Sequence, residues 1–94
     1  MPSYNIVANG TPGTLELNFT GDDITGTVFG DPIKGFQGPG GSVTFVRSGG
    51  TQTYQGWFQK VSDLAEYDGY FIDVNSGTPA QHVFAWRAER PDIG

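Results

Sequence analysis

The segment YQGWFQ, Tyr54 to Gln59, decides how this chain is read. Aromatic and polar residues crowd it as they would a β-strand, yet Gly56 stands in its middle. Glycine in a strand costs conformational entropy and offers no side chain to pack. The same feature recurs in TGTVF (25–29), IKGFQ (33–37) and YDGYF (67–71). So many losses in a chain of 94 residues require a common geometric cause.

Working outward from that segment, apolar and polar residues alternate along most of the chain, the period of a half-buried strand. TLELNF (14–19) places Leu15, Leu17 and Phe19 on one face and Thr14, Glu16 and Asn18 on the other. Gly21, Asp22 and Asp23 supply a hairpin turn after it, and GPGG (38–41) and SGGT (48–51) supply two more. Further strands are expected in ITGTVFG (24–30), IKGFQ, SVTFVR (42–47), QTYQGWFQK (52–60), EYDGYFIDV (66–74) and QHVFAWRAER (81–90), with a weaker first strand around Tyr4 to Val7. VSDLAE (61–66) is the one segment with room for a helical turn, capped by Ser62 or Asp63. Seven or eight strands joined by short turns suit an up-and-down meander, and such a meander removes its bare edges by closing. The expected fold is therefore all-β, an antiparallel up-and-down barrel, in a single domain spanning 1–94.

A small closed barrel explains the glycines. Its strands coil sharply, and glycines at inward positions permit the bend while large neighbours fill the space above them. In this phase Gly26, Gly35, Gly56 and Gly69 form an inward band, with Ala85 in the equivalent place of the last strand. Ile24, Val28, Ile33, Val43, Phe45, Tyr54, Phe58, Tyr67, Phe71 and Val83 point inward with them. Phe36, Trp57, Tyr70, Phe84 and Trp86 point outward. The opposite phase buries those aromatics and exposes the glycines. In the preferred phase the strands after Tyr54 are apolar on both faces, and a sheet buried on both faces needs a second layer. No helix is available, so a partner chain is the economical cover. Trp57, Tyr70 and Trp86, with Phe36 near the edge, are aromatic types enriched in interfaces, and the expectation is a homo-oligomer, dimer or tetramer.

Composition narrows the function classes. A net charge of −5 argues against a nucleic-acid partner and against an anionic membrane surface. No apolar run approaches the ~18 residues of a membrane-spanning helix. There is no cysteine, hence no thiol nucleophile and no disulfide. MPSYNIVANG has neither the basic nor the apolar region of a signal peptide, so the chain reads as cytoplasmic as it stands, or as secreted if the Met replaces a removed signal.

The order of three segments resembles the avidin–streptavidin family of small barrels, more broadly the calycin-like barrels. ITGTVFG is similar to that family's Leu-Thr-Gly-Thr-Tyr strand, TYQGWF (53–58) to its Thr-Trp-Ser-Gly strand, and GTLELNF (13–19) to the Gly-Ser-x-Leu-x-Ile strand before them. The resemblance runs from about Gly13 to Arg90. It implies an eight-stranded antiparallel barrel open at one end, often assembled through the outer face of its later strands. The ligand does not carry over. The family's biotin-contacting tyrosine falls at Val28, the serine beyond it near Gly30, and the hydroxyls of the later loop near Gly50 and at Gln52. Its tryptophan of the fifth strand is replaced by Phe45 to Arg47, and its final carboxylate falls near Ala88 or Glu89.

Catalysis is not expected. His82 is the only histidine, and with Ser76 and Asp73 it makes no recognisable triad. GFQGPGGS (35–42) lacks the lysine and the helix of a phosphate loop. Asp63, Glu66, Asp68 and Asp73 match no calcium-loop spacing and read as a solvated face, so neither a metal nor another cofactor is expected. Lys60 and Arg87 are placed near barrel openings. The leading expectation is a non-catalytic binding module that holds a small apolar or aromatic ligand at an open end. Tyr54, Phe58, Tyr67 and Phe71 would form its wall, and Gln37 and Gln52 its rim. The alternative is a structural or protein-interaction subunit with a filled barrel. An interior cavity near ~300 Å³ favours the first, and a packed interior the second. Because the biotin-contacting positions read Val28, Gly30 and Gly50, calorimetric titration is expected to show no sub-micromolar biotin binding; a sub-micromolar isotherm would overturn that reading.

Overall fold

The structure is a computed structural model that describes residues 3–49, 52–61, 63–73 and 83–91. Its strands are β1 (Ser3–Ala8), β2 (Thr11–Thr20), β3 (Asp23–Val28), β4 (Asp31–Gln37), β5 (Ser42–Arg47), β6 (Gln52–Val61), β7 (Leu64–Asp73) and β8 (Val83–Pro91). Each pairs antiparallel with the next, and β8 returns to β1 to close the barrel. From β1 to β5 the connections are short because alternation is interrupted there only by turn residues. Asn9–Gly10 and Phe29–Gly30 carry positive φ at both positions (48° and 79°, 50° and 83°), as two-residue turns matched to the twist of their strands require. Pro39–Gly41 forms a single 3-10 turn between β4 and β5.

The helical turn expected in VSDLAE does not form. β6 runs on to Val61, β7 starts at Leu64, and these two residues pair. A two-residue link has no room for a helix, and Ala65 continues the inward alternation as a buried residue. Ser62 lies outside the described residues.

Burial alternates as the inward phase requires. Tyr4, Ile6 and Ala8 on β1, Leu15 and Leu17 on β2, Ile24 and Val28 on β3, and Val43 and Phe45 on β5 all enter the core. The last strand departs from the expectation. Trp86 is 3% exposed and points into the barrel, whereas Val83 is 53% exposed and Ala85 faces out beside it. Phe84 is half-buried and packs on the core, with its ring 5.2 Å from that of Phe71. The inward series of β8 is thus Phe84, Trp86 and Ala88, one residue out of step with the series read from the sequence.

That shift supplies the cause of the glycines. Trp86 pairs across strands with Gly69, and Gly69 with Gly56. The indole lies over Gly56, where a Cβ would come within 2.5 Å of Trp86 Cζ2. Its Nε1 donates to two carbonyl oxygens on the strands it covers, Tyr70 O at 3.0 Å and Gln55 O at 3.2 Å. A second rule governs Gly26, Gly35 and Gly69. At each, a Cβ would collide with a carbonyl oxygen of the neighbouring strand: Glu16, Thr44 and Gln55 respectively. Each of those carbonyls belongs to the residue just before the glycine's cross-strand partner. Tight coiling turns the carbonyl inward, and only a residue without a side chain can face it.

Gly56→Val is expected to destabilise the protein by roughly 1–3 kcal/mol, since the added methyls must displace the indole. For a chain this short each kcal/mol lowers the melting temperature by about 4–8 °C. A thermal melt matching wild type would show that the indole does not occupy this space.

Candidate functional site

Three places in this barrel are available for binding: its interior with the two openings, the depression at one end, and the outer wall. The interior is filled. Phe84, Phe71, Tyr54 and Phe45 are successive cross-strand neighbours from β8 to β5. Their rings follow one another at 5.2, 4.8 and 5.0 Å between centroids. Trp86 meets Phe45 and Tyr54 edge-on at 6.0 and 5.9 Å. Such offset and edge contacts are the favourable arrangements of aromatic quadrupoles.

Of the residues expected as a ligand wall and rim, Tyr54, Phe71 and Gln52 line one depression, while Phe58, Tyr67 and Gln37 lie away from it. Tyr54 and Phe71 form one cross-strand pair, Phe58 and Tyr67 another, and the Gly56–Gly69 pair separates them. Gln37 ends β4 and Gln52 begins β6, two strands running in the same direction, so the two glutamines mark opposite ends. Gln37 Nε2 donates to Gly21 O and its backbone N–H to Asp22 O, which pins the β2–β3 turn.

At the Gln52 end a depression of about 210 Å³ is lined by Phe29, Arg47, Gln52, Tyr54, Asp73 and Phe84, among others. This is below the ~300 Å³ at which small-molecule sites begin. Its polar groups bond to one another. Arg47 Nη2 lies 2.8 Å from Asp31 Oδ2, and Arg47 Nη1 donates to Gln52 Oε1 at 2.9 Å. The Tyr54 hydroxyl donates to the same Gln52 oxygen, and Gln52 Nε2 donates to Asp73 Oδ2. Phe29 lies over Gly13, where a Cβ would run into its ring, and Arg47 sits 5.3 Å above the Phe29 ring. At the other end Tyr67 packs edge-on against Tyr4 and Phe58, with the Arg90 guanidinium 5.7 Å above Tyr4. An arginine over an aromatic ring therefore stands at each opening. Phe58, though on the inward face, is 40% exposed because β5 ends opposite Trp57.

The outer wall of β5–β8 is different. Trp57 is 46% and Tyr70 41% exposed, and their rings are tilted together at 6.2 Å. Phe36 is exposed in the same cross-strand row as Tyr70, with Thr44 and Gln55 between them. Trp86 does not join this face, since its ring is inside. Of the two basic residues expected at openings, Lys60 lies near the end of β6, but Arg87 is on this wall, where its Nε meets Asp68 Oδ1 at 2.7 Å and Glu66 Oε1 at 3.8 Å. Gln59 Nε2 donates to both carboxylates. Burial alone would raise the pKa of Asp68, but its bonds to Arg87 first, then to Glu66 and Gln59, outweigh it and hold the carboxyl below its usual range. Asp73 belongs to the Gln52 end instead, and Asp63 sits in the β6–β7 turn. Among the described residues no three such side chains converge on a point suited to a metal ion. His82 and Ser76 lie outside the described residues.

Arg47, Asp31 and Phe29 are the residues at this end that sequence reasoning passed over. The available signal was the pair Phe29–Gly30 between two alternating segments, the length of a two-residue turn. No protein-family model, curated protein or solved structure matches this chain.

Burial pushes the Tyr67 hydroxyl up to about 12, with neighbouring Tyr4 adding to the effect. A raised folded-state value means that the folded protein keeps a proton the unfolded chain releases. The resulting stabilisation is complete below the ordinary value of 10.0 and is lost as pH climbs to about 12. Tyr67→Phe is therefore expected to lose less stability than wild type across that window. Denaturant midpoints measured against pH test this, and parallel curves for the two proteins would refute it.

Proposed function

We propose that this protein is a non-catalytic protein-interaction subunit that assembles through the outer wall of β5–β7, with the barrel as a rigid, filled support. One observation carries this reading: the largest aromatic side chains divide between a stacked interior and an exposed Trp57–Tyr70 pair with nothing over it among the described residues. Exposed tryptophan and tyrosine on a rigid sheet offer large contact area at little entropic cost, and such residues dominate interface energetics. The small-ligand reading is the weaker of the two, because the depression at the Gln52 end is small and its polar groups already satisfy one another. Kinship with the avidin-like barrels is part of the proposal. It is supported by strand number and connectivity, and by ITGTVFG and TYQGWF lying on β3 and β6 of the meander.

The test is light scattering coupled to gel filtration over a range of concentrations. Wild type is expected to run as an oligomer at micromolar concentration. Trp57→Ala should weaken association by ~2 kcal/mol, roughly 30-fold, and shift the population toward monomer. A wild-type protein that stays monomeric throughout, or a Trp57→Ala variant that associates as wild type does, would remove the basis for this reading.

A further inference from the structure

The outer wall carries a hollow next to its aromatic knob. An open trough of about 540 Å³ lies over β8 and is bordered by Val7, Asn9, Asp68, Ala85 and Arg87, among others. It exists because Ala85 is the outward residue of β8 at a level where its neighbours are large: Tyr70 on β7 directly beside it, and Val7 and Arg87 paired across the β1–β8 seam. The phase of β8 is thus what creates the hollow. With Trp86 turned inward to cover Gly56, alanine is left on the outside.

We infer that the occupant of this trough is Trp57 of a second copy of the chain, in a two-fold dimer whose axis runs along β7. This rests on the reading of the outer wall as an assembly surface. A two-fold contact is self-complementary, so one face must carry both knob and hollow. A two-fold axis along β7, in the plane of the contact, lays β6 of one copy over β8 of the other. Trp57 is the cross-strand neighbour of Asp68, and Asp68 of Arg87. The operation therefore carries Trp57 onto β8 at the level of Arg87, beside Ala85, which is where the trough lies. Tyr70, on the axis strand, meets its own copy.

Charge favours the same occupant. Each copy has a net charge of −5, so like copies repel unless they meet on an uncharged face. The rows Val46–Thr53–Ile72–Val83 and Thr44–Gln55–Tyr70–Ala85 cross this wall without a charged residue. At its border Asp68 and Arg87 neutralise each other in a 2.7 Å contact. The area limits the strength of this pairing. Four strands about 4.8 Å apart and about 20 Å long present a face of roughly 400 Å², so pairing removes about 800 Å² from both copies together, with the Trp57 and Tyr70 side chains adding to it. That is the size of a weak interface, so association depends on how well Trp57 fills the trough.

Filling the trough tests the inference. Ala85→Trp places an indole where the partner's Trp57 would sit, and Val7→Arg crowds the opposite wall from a position 47% exposed and outside the core. Both variants are measured by sedimentation equilibrium beside wild type and Trp57→Ala, with circular dichroism and a melt to establish folding. The expected result is a wild-type dimer, with folded trough variants that dimerise at least roughly tenfold more weakly. If Ala85→Trp fails to fold, Val7→Arg decides. Folded trough variants that dimerise as tightly as wild type while Trp57→Ala does not would overturn the trough and leave outer-wall assembly standing. A wild-type monomer at all concentrations would overturn both.

Discussion

The indole of Trp86, lying over Gly56 with its N–H shared between the Gln55 and Tyr70 carbonyls, is the contact on which the rest of this barrel depends. A β-strand cannot coil tightly enough to close so small a barrel without inward positions that carry no side chain, and such positions leave gaps. Packing to the density of a protein interior then demands a large flat group from a neighbouring strand. Trp86 meets that demand at Gly56. It also satisfies, with a single donor, carbonyls that the bend has turned away from water. Once it is in place, Phe45 and Tyr54 have an edge to pack against, and the row of rings from β8 to β5 follows.

Both barrel ends are closed by the same pairing of types. Phe29 and Tyr4 cover the ends of the core, and Arg47 and Arg90 lie over their rings. A guanidinium suits this position because its face stacks on an aromatic ring while its edges remain free for hydrogen bonds. Arg47 uses those edges on Asp31 and Gln52, which tie β4, β5 and β6 together at the rim. Phe29 occupies the left-handed region at φ 50°, unusual for a bulky residue. Its ring is needed over Gly13, so turn geometry and core covering are met by one residue whose local preference opposes the conformation it holds.

Most of the fold was legible in the residues, because alternation and turn chemistry act locally. The inward phase of β3 to β7 follows from Gly26, Gly35, Gly56 and Gly69, whose missing side chains mark the concave face. The last strand was not legible in the same way. In VFAWRA both registers are apolar, Val83 with Ala85 or Phe84 with Trp86, so periodicity could not choose between them. The choice belongs to Gly56, two strands away, which needs a ring above it. The expected ligand wall divides between the two ends for a related reason, with only Tyr54 and Phe71 at the Gln52 depression. Tyr54, Phe58, Tyr67 and Phe71 share a face, but residues two apart on a strand advance ~7 Å along the barrel, and a shared face is not a shared pocket. In VSDLAE the polar residues suggested a capped helical turn, while the buried Ala65 shows the strand pattern continuing through it.

The seam between β1 and β8 has a consequence for how the chain comes together. It joins Asn5–Ala8 to Trp86–Glu89, four residue pairs against the ten between β6 and β7. Every other pairing links strands that are neighbours in sequence, so its loop closes more cheaply. The seam alone closes a loop of nearly the whole chain, and that entropy is regained whenever it parts. Ladder bonds are fewest where the released freedom is greatest. β8 remains held at its inner side by Trp86, which bonds to carbonyls on β6 and β7. β1 is held by its hairpin with β2, by Tyr4 packed on Tyr67 of β7 and under Arg90 of β8, and next to it by the bond from Asn9 N–H to Ala85 O. The seam that closes the barrel is thus its shortest ladder, and the bond just beyond it ends on the same Ala85 that floors the outer trough.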